Sequence, residues 1–499
     1  MRYVDVPKEV SFEQLRSNTC SFSASQYKTI ILPNQNFRYV RDFLSRDLTF
    51  DDLGNEVGSL YYIQQSPKYF VRTKALQSHS FIPEATGEAI TPVNPKVFVN
   101  QNLREGDVII SKDSNIGEVV ILDKDYPDWM LSGALYKLPI KECKYYLLAF
   151  LKHDFFRQQL DFIVPKSATI RHAKTLFLDC KIPMPNSDAV LNYVEGLTLA
   201  LIEKEKQIKQ NHAIILKKID DELRQNQNTS NFEYTYPSIN DLKNIRRLDT
   251  CLYSQVFQKN NSLVRNYKNG YIDLISRGFD WARGTSLEMG LLKTRLDSDT
   301  PKPGFYELII PTNISVYGTI DKTTFIGTQA KLKSIEKGDI IFGGEGFGKG
   351  RCMVVCEDVS NKVTNYHGVR IINKNKNLTE SIFIRCFLTY WRSLKMIDYI
   401  GVGGSGGHCA PSYFHLIDTP NFPEAKQKEI AILYHNAEAK YGKGITLENF
   451  QEQDALFNQV AGITELDRAS KRIKARLDEV IDQIIKDQVV DVTFDFLTS

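Results

Sequence analysis

No run of 18 or more apolar residues occurs in this 499-residue chain, so a membrane-spanning helix is not expected. The opening residues (MRYVDVPKEVSFEQL) lack the apolar stretch of a secretory leader, and a cytoplasmic, prokaryotic protein with no membrane partner is expected. Cysteine is sparse and scattered, eight in all, which suits a reducing compartment better than a disulfide scaffold. No Pro-Pro pair is present. Charge of one sign is also missing: the net value is +3, which neither demands nor excludes a nucleic-acid partner, because binding depends on local patches. The length exceeds what one core organises, so two or more domains are expected.

What is present is a repeat. Arg16-Ser-Asn-Thr-Cys20-Ser-Phe22-Ser23 matches Arg247-Leu-Asp-Thr-Cys251-Leu-Tyr253-Ser254. Leu103-Arg-Glu-Gly106-Asp107-Val-Ile-Ile110 matches Ile335-Glu-Lys-Gly338-Asp339-Ile-Ile-Phe342. The stretch from Phe162-Ile-Val164 to Ile182-Pro-Met-Pro185 matches that from Tyr399-Ile-Gly401 to Thr419-Pro-Asn-Phe-Pro423. The offset stays at roughly 231 to 237 residues in all three, and ordered matches at a near-constant offset read as a duplication.

Each copy carries strand-like runs bounded by Gly, Asp or Ser: Val97-Phe-Val and Asp107-Val-Ile-Ile in the first, Ile340-Ile-Phe and Cys352-Met-Val-Val in the second. Helical patterns follow at Tyr145–Leu160 and Ile382–Tyr399, then a short loop and a Pro-punctuated exit. The expected class is α+β.

After the first copy, residues 187–224 contain no Pro, and Val194, Leu201, Ile208 and Ile215 recur every seven residues, extended by Leu197, Ile219 and Leu223. A helix of that length measures about 57 Å. Lys204, Asn211 and Lys218 interrupt its stripe, an imperfect coiled-coil seam. A cleaner seam lies at Ile463, Leu466, Ile473, Leu477, Val480 and Ile484, broken by Ser470. Two readings stand: a helix packed on a globular core, or a helix that pairs with the central one. Gln225–Asn231 reads as a linker. The boundaries are residues 1–186, a first domain; 187–226, the central helix; 227–423, a second domain; and 424–499, a C-terminal helical region.

These residues resemble the specificity subunits of type I restriction-modification systems. The resemblance rests on Gly106-Asp107-Val-Ile-Ile-Ser-Lys112 with Ile116-Gly117, Gly338-Asp339-Ile-Ile-Phe with Gly348, and the Arg247–Tyr253 opening. Lys181-Ile-Pro-Met-Pro185 and Phe422–Ile430 complete it, and coverage is nearly the whole chain. The first exit departs from the family pattern, reading Asn186-Ser-Asp188, and Tyr441-Gly-Lys-Gly444 and Gly462 interrupt the C-terminal helical region. The resemblance implies two target recognition domains, each followed by long helices that pair as an antiparallel coiled coil. Each domain reads half of a bipartite site on double-stranded DNA, and two methyltransferase subunits dock on the helices, with restriction subunits as further partners. No cofactor is expected in this chain; S-adenosylmethionine and ATP fall to the partners. Tethering two weak readers raises avidity and enforces half-site spacing. A specificity protein for a nuclease-free methyltransferase or another defence complex is the binding-class alternative, and a scaffold that binds no DNA is a third.

Other chemistry fits poorly. Gly343-Gly-Glu-Gly-Phe-Gly348-Lys349-Gly350 nearly spells a P-loop but lacks the hydroxyl residue, and a strand-like run follows where a helix is needed. Phe342-Gly-Gly-Glu-Gly346 matches a methyltransferase F-x-G-x-G, without the Pro-Pro motif that would accompany it. Pro127-Asp128 with Glu142-Cys-Lys144 fits a loose PD-x(n)-E-x-K nuclease pattern, whose carboxylates would hold a metal, but the second copy has no equivalent. Cys352, Cys356, His408, Cys409 and His415 lack the paired spacing of a zinc site. No catalytic or metal-binding residue is therefore expected.

Affinity for DNA should come from cations on phosphates and specificity from polar groups at base edges. The loops after the Gly-Asp strands are the first candidates: Ser111, Lys112, Ser114 and Asn115, and in the second copy Glu345 and Lys349. The loops before the exits are the next: Lys166, Ser167, Thr169 and Arg171, and Gly404, Ser405 and His408. Tyr69, Arg72 and Lys74, with Trp281, Arg283, Lys293 and Arg295, are further candidates; a solvated surface charge is the competing reading for each. Val194, Leu201, Ile208, Ile215, Ile473, Leu477, Val480 and Ile484 are the expected helix-pairing residues.

Overall fold

The computed structural model describes the chain apart from residues 1–2, 18–19, 21, 23–26, 86, 88, 165–172, 230–231, 404–406 and 499, and the side chains of Asn244 and Phe347. It is a mixed α+β protein of small sheets and helices. Two compact units divide it: residues 1–206, 440–459 and 468–499 form one, and 207–439 with 460–467 the other.

In the first unit the Gly-Asp strand Val108–Ser111 lies between Val119–Ile121 and Leu135–Leu138, antiparallel to both. A second sheet sets Tyr69–Val71 between antiparallel Ile90–Pro92 and parallel Trp129–Leu131. Phe37–Tyr39 pairs with the exit strand Lys181–Pro183. In the second unit Ile340–Gly343 lies between Cys352–Val354 and Gly368–Asn373, with Phe279–Arg283 added at the edge. Tyr306–Ile309 sits between antiparallel Thr324–Gly327 and parallel Lys362–Thr364, and Leu296–Ser298 extends that sheet. Tyr271–Asp273 pairs with the exit strand Asp418–Pro420.

The Gly-Asp turns show why these dipeptides recur. Gly106 and Gly338 have φ of 84° and 88°, a left-handed conformation that glycine adopts without steric cost. Their N–H groups donate to Leu122 and Val355 carbonyls, each at 2.8 Å. Asp107 accepts the N–H of Arg104, and Asp339 that of Glu336, again at 2.8 Å in both. The next strand brings a cation to each carboxylate: Lys137 at 3.4 Å from Asp107, and Arg370 through Nε at 2.9 Å and Nη2 at 2.5 Å from Asp339. Burial pushes the Asp339 carboxyl above its ordinary value, opposed by the Glu336 N–H and Arg370.

Two local expectations change. The run Val97-Phe-Val is not a strand; Pro95–Val97 forms a 3-10 turn capped by the Asn94 side chain, which accepts the Lys96 N–H at 3.0 Å. Asn-Pro chemistry outweighs the β-branched run there. The helical pattern at Tyr145–Leu160 splits into Lys144–Leu151 and Asp154–Ile163, because extended His153 caps the second helix through Nδ1. Its counterpart splits into Leu378–Ser393 and Met396–Ile400 at Lys395, φ 61°.

The central helix runs from Asp188 to Gln225, 38 residues, and contributes to both units. Val194, Leu201, Ile208 and Ile215 are all buried on it. In the first unit, Val194, Leu197 and Leu201 share one core with Ile473, Leu477, Val480 and Ile484 of the C-terminal helix Ile463–Ile485. The polar stripe positions are filled rather than tolerated. Lys204 is buried against Asp454 and donates to Asn458 at 3.1 Å. The rings of Tyr441 and Phe457, stacked at 4.2 Å, flank its ammonium at 5.4 Å each. In the second unit Asn211 donates to the Ala461 carbonyl at 3.1 Å, and Lys218 pairs with Glu429. Ala461 lies at the break between Phe450–Val460 and Ile463–Ile485. Gly462 permits that break: a Cβ there would sit 2.7 Å from the His435 nitrogen. Among the described residues no helix is long and apolar enough to cross a membrane.

Candidate nucleic-acid interface

The loop after each Gly-Asp strand has one backbone design. In the first unit the Ser111 N–H donates to Glu118 O and the Gly117 N–H to Ser111 O, both at 2.8 Å. In the second, Gly343 donates to Arg351 O and Gly350 to Gly343 O, also at 2.8 Å. The next residue is anchored on both sides in each loop. Lys112 donates to Ala134 O at 2.9 Å and accepts from Ala173; Gly344 donates to His367 O at 3.0 Å and accepts from Cys409. Ser114 and Gly346 share a φ of 60° and 61°, and Gly117 and Gly350 one of 78° and 74°.

The side chains on this shared backbone differ. Ser114 and Asn115 are exposed, and half-buried Lys112 pairs with Asp113 at 2.9 Å. Ser111 departs from expectation: it is fully buried and its hydroxyl donates to the Asp113 carbonyl at 2.7 Å. It shapes the loop and has no access to a ligand, because both faces of the strand Val108–Ser111 are buried.

The second loop carries a carboxylate. Glu345 Oε2 lies 2.9 Å from His367 Nδ1, and Oε1 lies 3.1 Å from His408 Nδ1 and 3.8 Å from Arg283 Nη1. The Arg283 guanidinium stands 4.5 Å above the Tyr366 ring, a cation–π contact that fixes its plane. Tyr366 is 47% exposed and Trp281 39%, so two aromatic faces border the cluster. Lys349 is directed elsewhere: its ammonium pairs with Asp398 at 2.9 Å and its side chain is only 12% exposed. It ties the loop down instead of offering a free charge, and Gly407 leaves room for it, since a Cβ there would approach Nζ to 2.7 Å.

The structure thus brings Glu345, His408 and Arg283 together, with Trp281 on the strand that carries Arg283. His367 and Tyr366, which sequence reasoning did not single out, complete the group. The signal for them was available: Asn365-Tyr-His-Gly368 turns between two strands, Lys362–Thr364 and Gly368–Asn373, that flank the loop. Tyr69 is half-buried, and Arg72 and Lys74 are exposed beside the strand Tyr69–Val71. Exposed Lys293 and Arg295, the latter 3.1 Å from Asp297, precede Leu296–Ser298 on the other sheet of their unit. Lys166, Ser167, Thr169, Arg171, Gly404 and Ser405 lie outside the described residues.

Residues raised for other chemistry have separate partners. Asp128 pairs with Lys68 at 2.6 Å, Glu142 with Arg38 at 2.7 Å, and Lys144 donates to the Gly106 carbonyl at 3.1 Å. Arg38 holds the Glu142 carboxyl below its usual value. The near-P-loop joins antiparallel strands through a 3-10 turn, Gly346–Gly348, so no helix N-terminus faces a phosphate there. Cys352 Sγ lies 3.6 Å from Arg385 O, Cys356 Sγ 3.6 Å from Val354 O, and His415 Nδ1 2.8 Å from Ser412 O. Burial pushes the Cys409 thiol up to about 12. Among the described residues no group of three or more His, Cys, Asp or Glu is arranged to hold a metal ion.

No family model matches the chain, and no curated protein matches it. Among solved structures it is similar to a type I restriction-modification system S subunit from M. genitalium, at 13% identity and a TM-score of 0.40, covering 92% of this chain and 96% of that one. It is also similar to a chain from a study of complex assembly and conformational transition in the type I R-M system, at 12% identity and a TM-score of 0.27, covering 92% and 99%. The HsdS subunit from Thermoanaerobacter tengcongensis is 12% identical, with a TM-score of 0.24 and coverage of 92% and 99%.

Proposed function

We propose that this chain is the DNA-specificity subunit of a type I restriction-modification complex and catalyses nothing itself. It is a duplication in this reading: each unit carries a target recognition domain that reads one half of a bipartite site. The central and C-terminal helices pair as an antiparallel coiled coil and dock two methyltransferase subunits, with restriction subunits as further partners. S-adenosylmethionine and ATP belong to those partners, and the complex works in the prokaryotic cytoplasm.

The observation that carries this reading is the pair of loops with one backbone and two sets of side chains. Two readers of different half-sites need a common scaffold, so that DNA is approached in one way, and different groups at its tip, so that different bases are selected. Lys112, Ser114 and Asn115 supply the tip of one loop, and Glu345 with its neighbours that of the other.

The deciding experiment maps adenine methylation, by single-molecule sequencing, on DNA exposed to this chain and its neighbouring methyltransferase. Methylation at one bipartite motif, lost when the chain is omitted, is the expected result; methylation unaffected by omission overturns the proposal. Arg72 serves phosphate binding in this scheme. The Arg72→Ala variant is therefore expected to weaken binding alike for cognate and unrelated DNA. It should also make the slope of log K against log salt shallower by about one, read by fluorescence anisotropy between low and physiological salt.

A further inference from the structure

We propose that Glu345 is the specificity determinant of the second unit and that it reads an exocyclic amino group on a base, cytosine N4 or adenine N6. This rests on the specificity-subunit reading above and names the chemistry of one of its two half-sites.

A carboxylate is an unusual group to present to DNA, because phosphates repel it. Glu345 keeps partial exposure, with a third of its side chain accessible, and the Arg283 guanidinium 3.8 Å away offsets its charge. Three separate segments surround it: Arg283, the cation, from the edge strand at 3.8 Å, His367 from the turn between two strands, and His408 from the segment before the exit. His367 Nδ1 bonds one carboxylate oxygen at 2.9 Å, and His408 Nδ1 stands 3.1 Å from the other without a hydrogen bond of its own, so the carboxylate is tethered through one oxygen. It still has acceptor capacity to spare, since an ionised carboxylate offers about four lone-pair sites.

The major groove narrows the choice of ligand. Only cytosine N4 and adenine N6 present donors there, whereas guanine O6 and N7 and thymine O4 are acceptors. An acceptor facing a desolvated carboxylate leaves both unpaired, which is costly. Every base pair carries one such amine, placed differently across the groove in each of the four pairings, so Glu345 selects the pair whose amine lies against it. The first unit has Asp113 at the equivalent place, but there the adjacent Lys112 occupies the carboxylate at 2.9 Å. Arg283, His367 and His408 are positioning residues; Glu345 is the one that touches the base.

The test uses the full chain assembled with its own methyltransferase, comparing wild type, Glu345→Gln and Glu345→Ala by methylation mapping on a library randomised across both half-sites. In the wild type one base pair of one half-site is specified, and Glu345→Ala loses about tenfold or more of the discrimination at that pair. Glu345→Gln separates the two bases. A cytosine position shifts toward adenine, which glutamine binds through N6 and N7; an adenine position keeps its preference. The other half-site stays unchanged in both variants, which also reports that they fold and assemble. Discrimination at wild-type level throughout in Glu345→Ala overturns the proposal. So does relaxation spread equally over every position of the half-site, or a loss of methylation equal for all four bases. A wild-type complex whose methylation ignores this chain overturns the specificity reading itself, so the two failures are distinguishable.

Discussion

Replacing Lys204 with methionine is expected to lower the unfolding free energy of the chain by about 3–5 kcal/mol, the cost of breaking a buried ion pair by removing one partner. The ammonium of Lys204 is fully buried, and Asp454 opposite it is 3% exposed. Burial pulls the lysine below its ordinary value while Asp454 holds it up. Methionine fills the space of the stem but leaves Asp454 in an apolar setting without its cation, with Tyr441 Oη at 2.5 Å and Asn458 Nδ2 at 3.0 Å as its remaining donors among the described residues. The double variant Lys204→Met with Asp454→Leu should recover most of the loss, because a well-packed apolar pair often matches a buried salt bridge. Urea titration followed by circular dichroism measures both. A single-variant loss below about 1 kcal/mol, the range of an exposed pair, would show that water reaches the site.

The second large effect is an acid sensitivity centred on His212 in the second unit. Burial, with Arg385 and Arg392 nearby, lowers its pKa from 6.5 to about 4. Its Nδ1 has no hydrogen-bond partner among the described residues, and Tyr317 meets the ring edge-on at 5.2 Å. The unfolded chain takes up a proton near pH 6.5 and the folded chain does not. Stability associated with His212 is therefore full above pH 6.5 and falls as the pH drops toward 4. The loss is on the order of 2 kcal/mol, allowing for the ring's partial exposure. His212→Phe, which cannot protonate, should flatten the dependence of Tm on pH across that window. An unchanged slope in the variant would assign the acid sensitivity to other groups.

The two sites differ in how visible they were. Lys204 stood out as a break in a seven-residue stripe, but a stripe cannot say whether a polar member is solvated or paired. Its partner Asp454 lies 250 residues away, in a region with no periodic relation to the stripe. Ser111 shows the converse: next to Lys112 in a polar loop it reads as accessible, yet it is the last residue of a strand buried along its whole length. Val97 stands in a β-branched and aromatic run, yet the Asn94-Pro95 turn preceding it sets its conformation.

What the amino-acid sequence by itself determined is whatever depends on neighbours within a few turns of chain. The central helix extends from Asp188 to Gln225 because no proline interrupts it and its apolar residues recur at helical spacing. The Gly-Asp turns recur because a positive φ favours glycine and the following carboxylate closes the turn on the N–H three residues before it. Tertiary structure alone decided what depends on distant segments meeting. Arg283, Glu345, His367 and His408 form one cluster only because strands paired out of sequence order carry them to one end of a sheet. Those contacts follow from packing and backbone hydrogen bonding between segments, forces that leave no local pattern in the chain that supplies them.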